Sequence, residues 1–318
     1  MINFLYCFDS NYNIQANNSI YSLLENVSEK INITILHKEI ENSSFINKKI
    51  INHKKLQNLK VIKFIGSQKF PNLEEAHVSS ATYFRLFLSD YISDEIETLV
   101  YLDADIVCIK DPLPKISESI GNLSNSNFII ACATEFDENS DENLTRFNME
   151  PVKYFNAGVM IIDNKKWVKN KKTEKLIKEL DENKRELKYW DQDLLNIHFF
   201  GEYLELNKYL NYKLHLSTVD FKLATPDEVT KSVIFIHYSG KFKPWSLRGA
   251  MNNNSSFYHT TYSELFKDKY HIYNNWKGNT LRDLLIYTLN LKIFRSKDSF
   301  SLITSCIKSF FKRNRVEN

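Results

Sequence analysis

Short apolar runs alternate with stretches of helical periodicity along most of the chain. The apolar runs have the length and β-branched content of strands, and they lie at 2–8, 32–37, 60–65, 98–102, 128–133, 157–163 and 233–238. Apolar residues at helical spacing predict helices at 17–29, 79–92 and 171–186. This β-α-β succession predicts an α/β domain with a largely parallel sheet and helices on both faces.

Composition and charge remove several classes of protein. The 318 residues are 43% hydrophobic and 25% charged, as in ordinary globular proteins, which excludes a disordered chain or a coiled coil. The formal net charge of +3 is too small to indicate a nucleic-acid partner. The four cysteines have neither metal-ligand nor disulfide-framework spacing, which favours a reducing compartment.

Positive charge is concentrated near the C-terminal end. Residues 281–318 contain eight Lys or Arg and three Asp or Glu. The Asn- and Ser-rich stretch at 251–256 is the best candidate boundary before this part. The sequence therefore predicts a main α/β domain at 1–250 and a helical, basic and aromatic region at 251–318.

Asp103 and Asp105 follow directly after the apolar run at 98–102. Ligands of open α/β sheets bind at the carboxyl ends of strands, so both carboxylates are candidates for a functional site. Two neighbouring carboxylates stay ionised at neutral pH when a cation offsets their repulsion, and oxygen ligands suit Mg²⁺ or Mn²⁺. The alternative interpretation is a helix cap or a solvated loop.

A second group of chemically useful residues closes the apolar run at 233–238. His237 can ligate a metal as a neutral imidazole, or it is a buried structural histidine. Gly240 lets backbone N–H groups approach an anion, and Lys243 supplies a positive charge for phosphate.

Three further features have both a functional and a structural interpretation. The Asn-Ala-Gly sequence at 156–158 exposes an amide beside an approachable backbone, or it forms a plain turn. Asp191 and Gln192 lie at a predicted helix start, where an acidic residue also favours the helix dipole. Arg85 lies in an otherwise apolar helix, where a buried cation needs an anionic partner unless the side chain reaches the surface.

In their order along the chain, these motifs resemble those of the family 8 glycosyltransferases, in particular the bacterial lipopolysaccharide galactosyl- and glucosyltransferases. The resemblance covers about residues 2 to 247 and rests on six motifs: Asp9-Ser-Asn11-Tyr12, Thr82-Tyr-x-Arg85-Leu, Tyr101-Leu-Asp103-x-Asp105, Phe155-Asn156-Ala157-Gly158-Val159, Asp191-Gln192-Asp193 and His237-Tyr-x-Gly240-x-x-Lys243-Pro-Trp245. It implies a GT-A fold, which is a Rossmann-like α/β domain with a mixed, mostly parallel sheet, followed here by a small helical C-terminal extension.

The resemblance also implies a role for each matched position. The metal, Mn²⁺ with Mg²⁺ as a substitute, would be held by Asp103, Asp105 and His237. The catalytic residues would be Gln192, near the anomeric carbon, and Asp191 as the fallback nucleophile. The donor-binding residues would be Asp9, Asn11, Arg85, Asp103, Asn156, Ala157, Gly158, Asp191, Gly240 and Lys243.

The implied activity is retaining transfer of galactose or glucose from UDP-galactose or UDP-glucose to a saccharide acceptor, the lipopolysaccharide or lipooligosaccharide core. The expected location is the cytoplasm, at the inner face of the cytoplasmic membrane. A two-step retaining displacement needs a carboxylate nucleophile, and Gln192 is a poor one. We therefore expect front-side attack, with the acceptor segment near 136–152 and the C-terminal region setting acceptor choice.

Residues 299–316 predict an amphipathic helix. The apolar residues at helical spacing are Phe300, Ile303, Ile307, Phe310 and Phe311, and the basic residues on another face are Lys308, Lys312 and Arg315. Such a helix suits an anionic membrane surface, or it docks on the main domain with a basic end. The resemblance favours the membrane, because relatives act on lipid-anchored acceptors.

Two other functions remain as hypotheses. Asp103-Ala-Asp105-Ile-Val107 also fits the first motif of haloacid dehalogenase-type phosphatases, with Asp103 as nucleophile, although that motif normally opens a chain. A non-catalytic carbohydrate-binding protein would explain the 14% of aromatic residues, but it gives no reason for metal-ligand spacing.

Overall fold

The fold is described from a computed structural model. The description covers residues 1–39, 45–66, 80–135, 140–149, 153–182, 187–216, 225–273, 276, 279–296 and 298–313. The chain divides into two compact units, residues 1–211 and 212–318. The division predicted from the sequence, 1–250 and 251–318, stays a prediction.

The first unit is built on a seven-stranded sheet. Its strands and one further short strand are β1 (Asn3–Phe8), β2 (Ile31–His37), β3 (Leu56–Lys63), β4 (Thr98–Leu102), β5 (Ile106–Cys108), β6 (Ile130–Thr134), β7 (Phe155–Asp163) and β8 (Leu204–Glu205). The order across the sheet is β3-β2-β1-β4-β7-β6-β8, and β5 is the strand outside it. Among the described strands of this sheet, β7 alone runs antiparallel to its neighbours, so the sheet is mixed and mostly parallel, as predicted.

The helices of the first unit follow the strands in alternation. They are α1 (Asn13–Asn26), α2 (Lys48–Ile51), α3 (Leu88–Tyr91), α4 (Leu113–Ser124), α5 (Ser140–Arg146), α6 (Asn164–Lys169), α7 (Lys172–Glu182) and α8 (Trp190–Phe199). In the described part of this unit, 3-10 helices lie at Ser10–Tyr12, Ser80–Phe87 and Lys208–Leu210. The resulting α/β architecture is the one that the β-α-β pattern predicts.

Burial along the strands reflects their position in the sheet. The interior strand β7 is buried over its first eight residues, which explains its almost unbroken apolar sequence. The edge strand β3 is half exposed and presents Lys60 and Lys63, charged residues that discourage pairing with another chain. The main core, which includes Tyr101, Phe155 and Trp167, packs one face of this sheet against the helices.

The element predicted at 79–92 is only partly correct. It is a 3-10 helix from Ser80 to Phe87, continued by one α-helical turn in α3. The strand predicted at 98–102 is observed with those bounds, and the other predicted strands overlap observed ones with shifted ends. Residue 79, where the helix predicted at 79–92 begins, and the C-terminal ends of the helices predicted at 171–186 and 299–316 lie outside the described residues.

The second unit is mainly helical. Two short parallel strands, β9 (Tyr212–Lys213) and β10 (Phe235–His237), precede most of its helices. The helices are α9 (Asp227–Lys231), α10 (Leu247–Ala250), α11 (Ser256–Phe266), α12 (Asn279–Leu289) and α13 (Ser299–Arg313). One buried cluster joins α10, α12 and α13 through Leu247, Tyr287, Leu302 and Cys306, among others. Within the described residues, no helix combines the length and the apolar character needed to cross a membrane.

Candidate active site

An irregularity in β7 creates the backbone of the site. Between β6 and β7 the register jumps, so that Cys132 pairs with Met160 while Ala133 pairs with Asn156. The three residues 157–159 are therefore passed over by the β6 ladder, and such bulges often lie next to active sites. The backbone groups of Ala157 and Gly158 are available for other contacts as a result. The Asn-Ala-Gly sequence thus lies inside the strand and not in a turn before it.

The freed groups of this bulge bind side chains. The Ala157 amide donates to Gln192 Oε1 at 3.0 Å, and the Ala157 carbonyl accepts from Arg85 Nη1 at 2.6 Å. Asn156 Oδ1 accepts from the Gly158 amide at 3.0 Å and from Asn211 Nδ2 at 2.9 Å. The Asn156 side chain is thereby fixed, and it is 8% exposed.

The 3-10 helix at Ser80–Phe87 brings two side chains to one carboxylate. A 3-10 helix turns once every three residues, so Thr82 and Arg85 lie one above the other, whereas an α-helix would set them about 60° apart. Thr82 Oγ1 donates to Asp191 Oδ1, and Arg85 Nε donates to Asp191 Oδ2. The helix type that the sequence did not predict is therefore what aligns these donors.

Arg85 is a buried cation with several acceptors. It is 4% exposed, it binds Asp103 Oδ1 through Nη1 at 3.2 Å, and its guanidinium lies 4.5 Å from the Tyr101 ring centroid. Burial alone would lower the pKa of Arg85, but the negative charges around it, Asp191 above all, raise it well above its ordinary value. Burial raises the pKa of the Asp191 carboxyl, while Arg85 and Thr82 oppose that effect. The anionic partner expected for Arg85 is therefore present.

Asp103 follows directly after β4, as the sequence predicts. Tyr101 Oη donates to Asp103 Oδ1 at 2.6 Å, and burial keeps the pKa of Tyr101 well above its ordinary value, so the hydroxyl retains its proton. The Asp103 amide donates to the Gly158 carbonyl at 2.9 Å, which ties it to the bulged strand.

Asp103 and Asp105 in the first unit and His237, the last residue of β10 in the second unit, can each offer one ligand atom to a metal ion. Two carboxylates and an imidazole form a donor set that suits Mn²⁺ or Mg²⁺. By their chemistry, the residues therefore fit a divalent cation.

The first turn of α8 carries the remaining candidate side chains. Trp190 has φ +49°, a left-handed conformation that is unfavourable for a bulky residue. Gln192 Nε2 donates to Glu135 Oε2 at 3.1 Å and to the Tyr154 hydroxyl at 3.3 Å. Because Oε1 faces an amide N–H and Nε2 faces a carboxylate, the orientation of the Gln192 amide is fixed by its partners.

Asp9 and Asn11 lie together after β1. Asp9 caps the 3-10 helix at Ser10–Tyr12, and its Oδ1 accepts from the Asn11 amide at 3.0 Å. The Asn11 side chain also lies 3.4 Å from Asp9 Oδ2. Since β1 and β4 are parallel neighbours, their carboxyl ends share one edge of the sheet.

Gly240 and Lys243 follow β10 in the second unit. Gly240 has φ +85°, where a side chain would be strained, and a Cβ there would lie 3.1 Å from His215 Nδ1. Lys243 Nζ donates to the Tyr238 carbonyl at 2.6 Å. The glycine is therefore required by the backbone conformation of the loop.

Several residues of this network were not among the predicted site residues. Thr82 and Asp193 belong to the six motifs but had no predicted role, and Tyr154 directly precedes the motif at 155–159. Glu135 and Arg146 carry no recognisable local pattern, because their partners Gln192 and Asp193 are distant in sequence. Only the fold reveals them.

The model of glycosyl transferase family 8 matches residues 3–248 of the chain. The chain belongs to this family. The resemblance inferred from the six motifs is thereby confirmed, and family 8 membership favours the glycosyltransferase hypothesis over the phosphatase and the non-catalytic binding protein.

Similar proteins include one that is named as a glucosyltransferase and one whose name states no activity. Lipopolysaccharide 1,2-glucosyltransferase of Escherichia coli (strain K12) is 30% identical over 253 residues, which cover 77% of this chain and 72% of that protein. General stress protein A of Bacillus subtilis (strain 168) is 28% identical over 271 residues, which cover 80% of this chain and 90% of that protein.

Solved structures show the fold. The galactosyltransferase LgtC, in complex with donor and acceptor sugar analogues, aligns with a TM-score of 0.67 at 23% identity, covering 83% of this chain and 96% of that one. The glycosyltransferase GlyE of Streptococcus pneumoniae TIGR4 aligns with a TM-score of 0.56 at 21% identity, covering 87% and 67%. The family 8 chain therefore has the GT-A fold predicted for it.

Proposed function

We propose that this family 8 protein is a retaining hexosyltransferase that moves galactose or glucose from a UDP-sugar to a saccharide acceptor, with Mn²⁺ as cofactor. The observation that carries the proposal is the set of possible metal ligands, Asp103, Asp105 and His237, together with the Arg85 guanidinium that binds Asp103. A divalent cation and a buried guanidinium at one carboxylate suit a substrate that carries both a diphosphate and a sugar.

The metal would be held by Asp103, Asp105 and His237, with Mg²⁺ as a possible substitute. When bound, it would supply Lewis-acid stabilisation of the diphosphate leaving group. Lys243 and the backbone at Gly240 would add positive charge and N–H donors for the phosphates. Asp9 and Asn11 would hold the uracil and ribose.

Arg85, Asn156, Ala157, Gly158 and Asp191 would contact the donor sugar. Asn156 is oriented for this role because its oxygen is occupied, so that its Nδ2 group is the part left to donate. Asp191 would accept from a sugar hydroxyl while Arg85 holds its carboxylate in place. Discrimination between galactose and glucose would depend on such hydrogen bonds.

The state of the two candidate catalytic residues supports front-side attack. Gln192 uses both ends of its amide in hydrogen bonds, and Asp191 is paired with Arg85, so neither is an activated nucleophile. In the proposed step the anomeric carbon–UDP bond breaks while the acceptor oxygen bonds to the same face. The acceptor proton passes to the departing β-phosphate oxygen. Gln192 would stabilise the positive charge that develops at the anomeric carbon.

The acceptor proposed is lipopolysaccharide or lipooligosaccharide core, since the Escherichia coli relative is named a lipopolysaccharide glucosyltransferase. A lipid-anchored acceptor requires the enzyme to work at a membrane, and we place the protein at the inner face of the cytoplasmic membrane. The exposed apolar side chains of the second unit support this. In the described residues, 11 of the 15 exposed large hydrophobic side chains lie between 273 and 311.

The C-terminal helix has two different faces. Leu302 and Cys306 of α13 are buried in the cluster of the second unit, whereas Phe300 and Phe311 are 80% and 62% exposed. The two predicted alternatives, docking and membrane contact, therefore involve different sides of one helix. We propose that the exposed side binds an anionic membrane surface, assisted by the exposed basic residues Lys292 and Arg295.

Thermal unfolding and turnover measurements together test the proposed donor and the proposed metal dependence. UDP should raise the Tm only when Mn²⁺ is present, and a screen of UDP-sugars with Mn²⁺ should give hydrolysis of UDP-galactose or UDP-glucose. Asp103→Asn should abolish both effects, while Asp94→Asn, a change at an exposed carboxylate, should leave them unchanged. Full activity in Asp103→Asn, or UDP binding that ignores Mn²⁺, would refute the proposed site.

Membrane contact is tested by sedimentation with vesicles of phosphatidylglycerol and phosphatidylethanolamine. A Phe300→Ser, Phe311→Ser variant should bind at least about tenfold more weakly, since each exposed Phe could bury apolar area worth about 2 kcal/mol. The matched control is Ile51→Ser, Ile65→Ser, which removes two exposed apolar residues of the first unit. Equal vesicle binding by both double variants would contradict the membrane proposal.

A further inference from the structure

Arg146, the last residue of α5, binds a carboxylate in the turn that carries the candidate catalytic residues. Its Nη1 and Nη2 donate to Asp193 Oδ2 and Oδ1 at 3.0 and 2.8 Å, so the contact is bidentate. The Asp193 side chain is fully buried, whereas that of Arg146 is 21% exposed. A buried carboxylate needs such a cation, because removing one partner of a buried pair leaves an uncompensated charge.

Asp193 transmits this contact to Gln192 through a tyrosine. Tyr154 Oη donates to Asp193 Oδ1 at 2.6 Å. Because its proton is directed to Asp193, the Tyr154 oxygen presents a lone pair to Gln192 Nε2 at 3.3 Å. Burial keeps the pKa of Tyr154 well above its ordinary value, so the hydroxyl stays protonated. The charge on Asp193 therefore sets the direction of the hydrogen bond that reaches Gln192.

Asp193 also holds the strained turn at the start of α8. Its Oδ2 accepts from the Tyr189 amide at 2.7 Å, across the left-handed residue Trp190. Left-handed conformations of large residues persist only where the surroundings fix them. The Arg146 guanidinium lies 5.6 Å from the Tyr189 ring centroid, so it contacts both ends of this turn.

We propose that Arg146 is a positioning residue of the transfer reaction, acting through Asp193 and Tyr154 on Gln192. The inference rests on the proposed function, because it assumes that Gln192 acts on the transition state. The contacts described for Arg146 are with Asp193 and with the rings of Phe147 and Tyr189, none of which is proposed to bind the donor. Its loss should therefore lower kcat, while the donor KM, set by other residues, changes little.

The experiment compares kcat and donor KM of Arg146→Met, Arg146→Lys and Tyr154→Phe in UDP-sugar turnover with Mn²⁺. Arg146→Met should lower kcat about 100-fold with KM within about threefold, since small misplacement of a reacting group has effects of that size. Arg146→Lys should recover part of the loss, to about tenfold, because Lys restores the charge but not the bidentate geometry. Tyr154→Phe should lower kcat about tenfold, because it removes the hydroxyl between Asp193 and Gln192.

Lys188→Met is the matched control. Lys188 pairs with Glu142 at 3.0 Å and so forms a second link between α5 and the same turn. Both side chains are exposed, and the partners of Asp193 in the described part of the chain are instead Arg146, Tyr154 and Tyr189. Its kcat should equal that of the wild type.

The possible outcomes separate the two proposals. A wild type without turnover of any UDP-sugar overturns the proposed function and this inference with it. An active wild type whose Arg146→Met and Tyr154→Phe variants keep kcat within about twofold overturns this inference alone. If Arg146→Met does not fold, Arg146→Lys and Tyr154→Phe decide, and equal changes of kcat and KM in both would also refute positioning.

Discussion

Replacing Arg85 with Met tests the electrostatics of the site most directly. Asp191 is 1% exposed, and in the described part of the chain its donors are Arg85 Nε and Thr82 Oγ1. Arg85→Met leaves a buried carboxylate with one neutral donor. Breaking a buried ion pair from one side costs about 3–5 kcal/mol of unfolding free energy.

The converse change, Asp191→Asn, should cost less. Arg85 would keep its contacts with Asp103 Oδ1 and the Ala157 carbonyl, so its charge stays compensated. A loss of about 1–3 kcal/mol is expected, which is the cost of one weakened buried hydrogen-bonding partner. The double variant Arg85→Met, Asp191→Leu should regain most of the stability lost in Arg85→Met, because it removes both charges. Both single variants should lose transferase activity.

The pH dependence gives a second test with a defined sign. Burial raises the pKa of Asp191, and removing Arg85 takes away a group that opposes this. A carboxyl whose folded pKa is raised binds more protons in the folded state, so stability falls as pH rises through the interval between the unfolded and folded pKa values. The deficit of Arg85→Met relative to wild type should therefore be larger at pH 8 than at pH 5.

Urea unfolding followed by circular dichroism at both pH values measures these differences, provided that the m-values agree. Asp191→Asn measured in parallel is the internal reference. Equal losses in Arg85→Met and Asp191→Asn, or an Arg85→Met deficit that grows as the pH falls, would refute the account of Arg85 as the counter-ion of a buried Asp191.

Three further changes test separate parts of the molecule. Burial lowers the pKa of His259 from 6.5 to about 4, so on acidification the unfolded chain takes up a proton before the folded chain does, and about 3 kcal/mol of stability should be lost between pH 7 and pH 4. His259→Gln cannot titrate, so its urea unfolding curves should lack this pH-dependent loss, and the same pH dependence as in the wild type would contradict the explanation. Gln192→Ala should lower kcat by about 100-fold yet leave measurable turnover, because a front-side reaction needs no covalent intermediate. Complete loss of turnover in a folded variant would instead favour a nucleophilic role for Gln192. Tyr101→Phe removes the hydroxyl that binds Asp103 Oδ1. Because groups that orient a metal ligand affect metal affinity, Mn²⁺-dependent UDP binding should weaken about tenfold in calorimetry. Unchanged affinity would argue against that orienting role.

The sequence predicts those parts of the site that depend on strand ends. Asp103 follows a short apolar run, and the run is β4 with the predicted bounds, because few other arrangements bury the four consecutive apolar residues 99–102. The order of the six motifs was sufficient to predict the family, and the family model that matches residues 3–248 confirms it. Periodicity therefore identified the strand end, and the motifs identified the family.

Periodicity could not predict the irregular backbone. The segment at Ser80–Phe87 has apolar spacing compatible with an α-helix, and only the contacts of Thr82 and Arg85 with Asp191 favour the tighter 3-10 form. The bulge at 157–159 leaves no signal beyond Asn-Ala-Gly. Arg146 and Glu135 were missed because pairing across distant segments depends on the tertiary fold, which residue spacing does not encode.

The three irregular backbone segments of the site are all hydrogen-bonded to Arg85. The bulge of β7 provides the Ala157 carbonyl, the 3-10 helix carries Thr82, and the strained first turn of α8 carries Asp191. Each of these three groups is hydrogen-bonded to Arg85. Regular strands and helices would have used the backbone groups internally or turned the side chains away. A single buried guanidinium with five N–H donors can satisfy acceptors from three segments at once, which a Lys ammonium cannot do with the same geometry. The local departures from regular structure are thus mutually dependent, and Arg85 is the residue through which they are coupled.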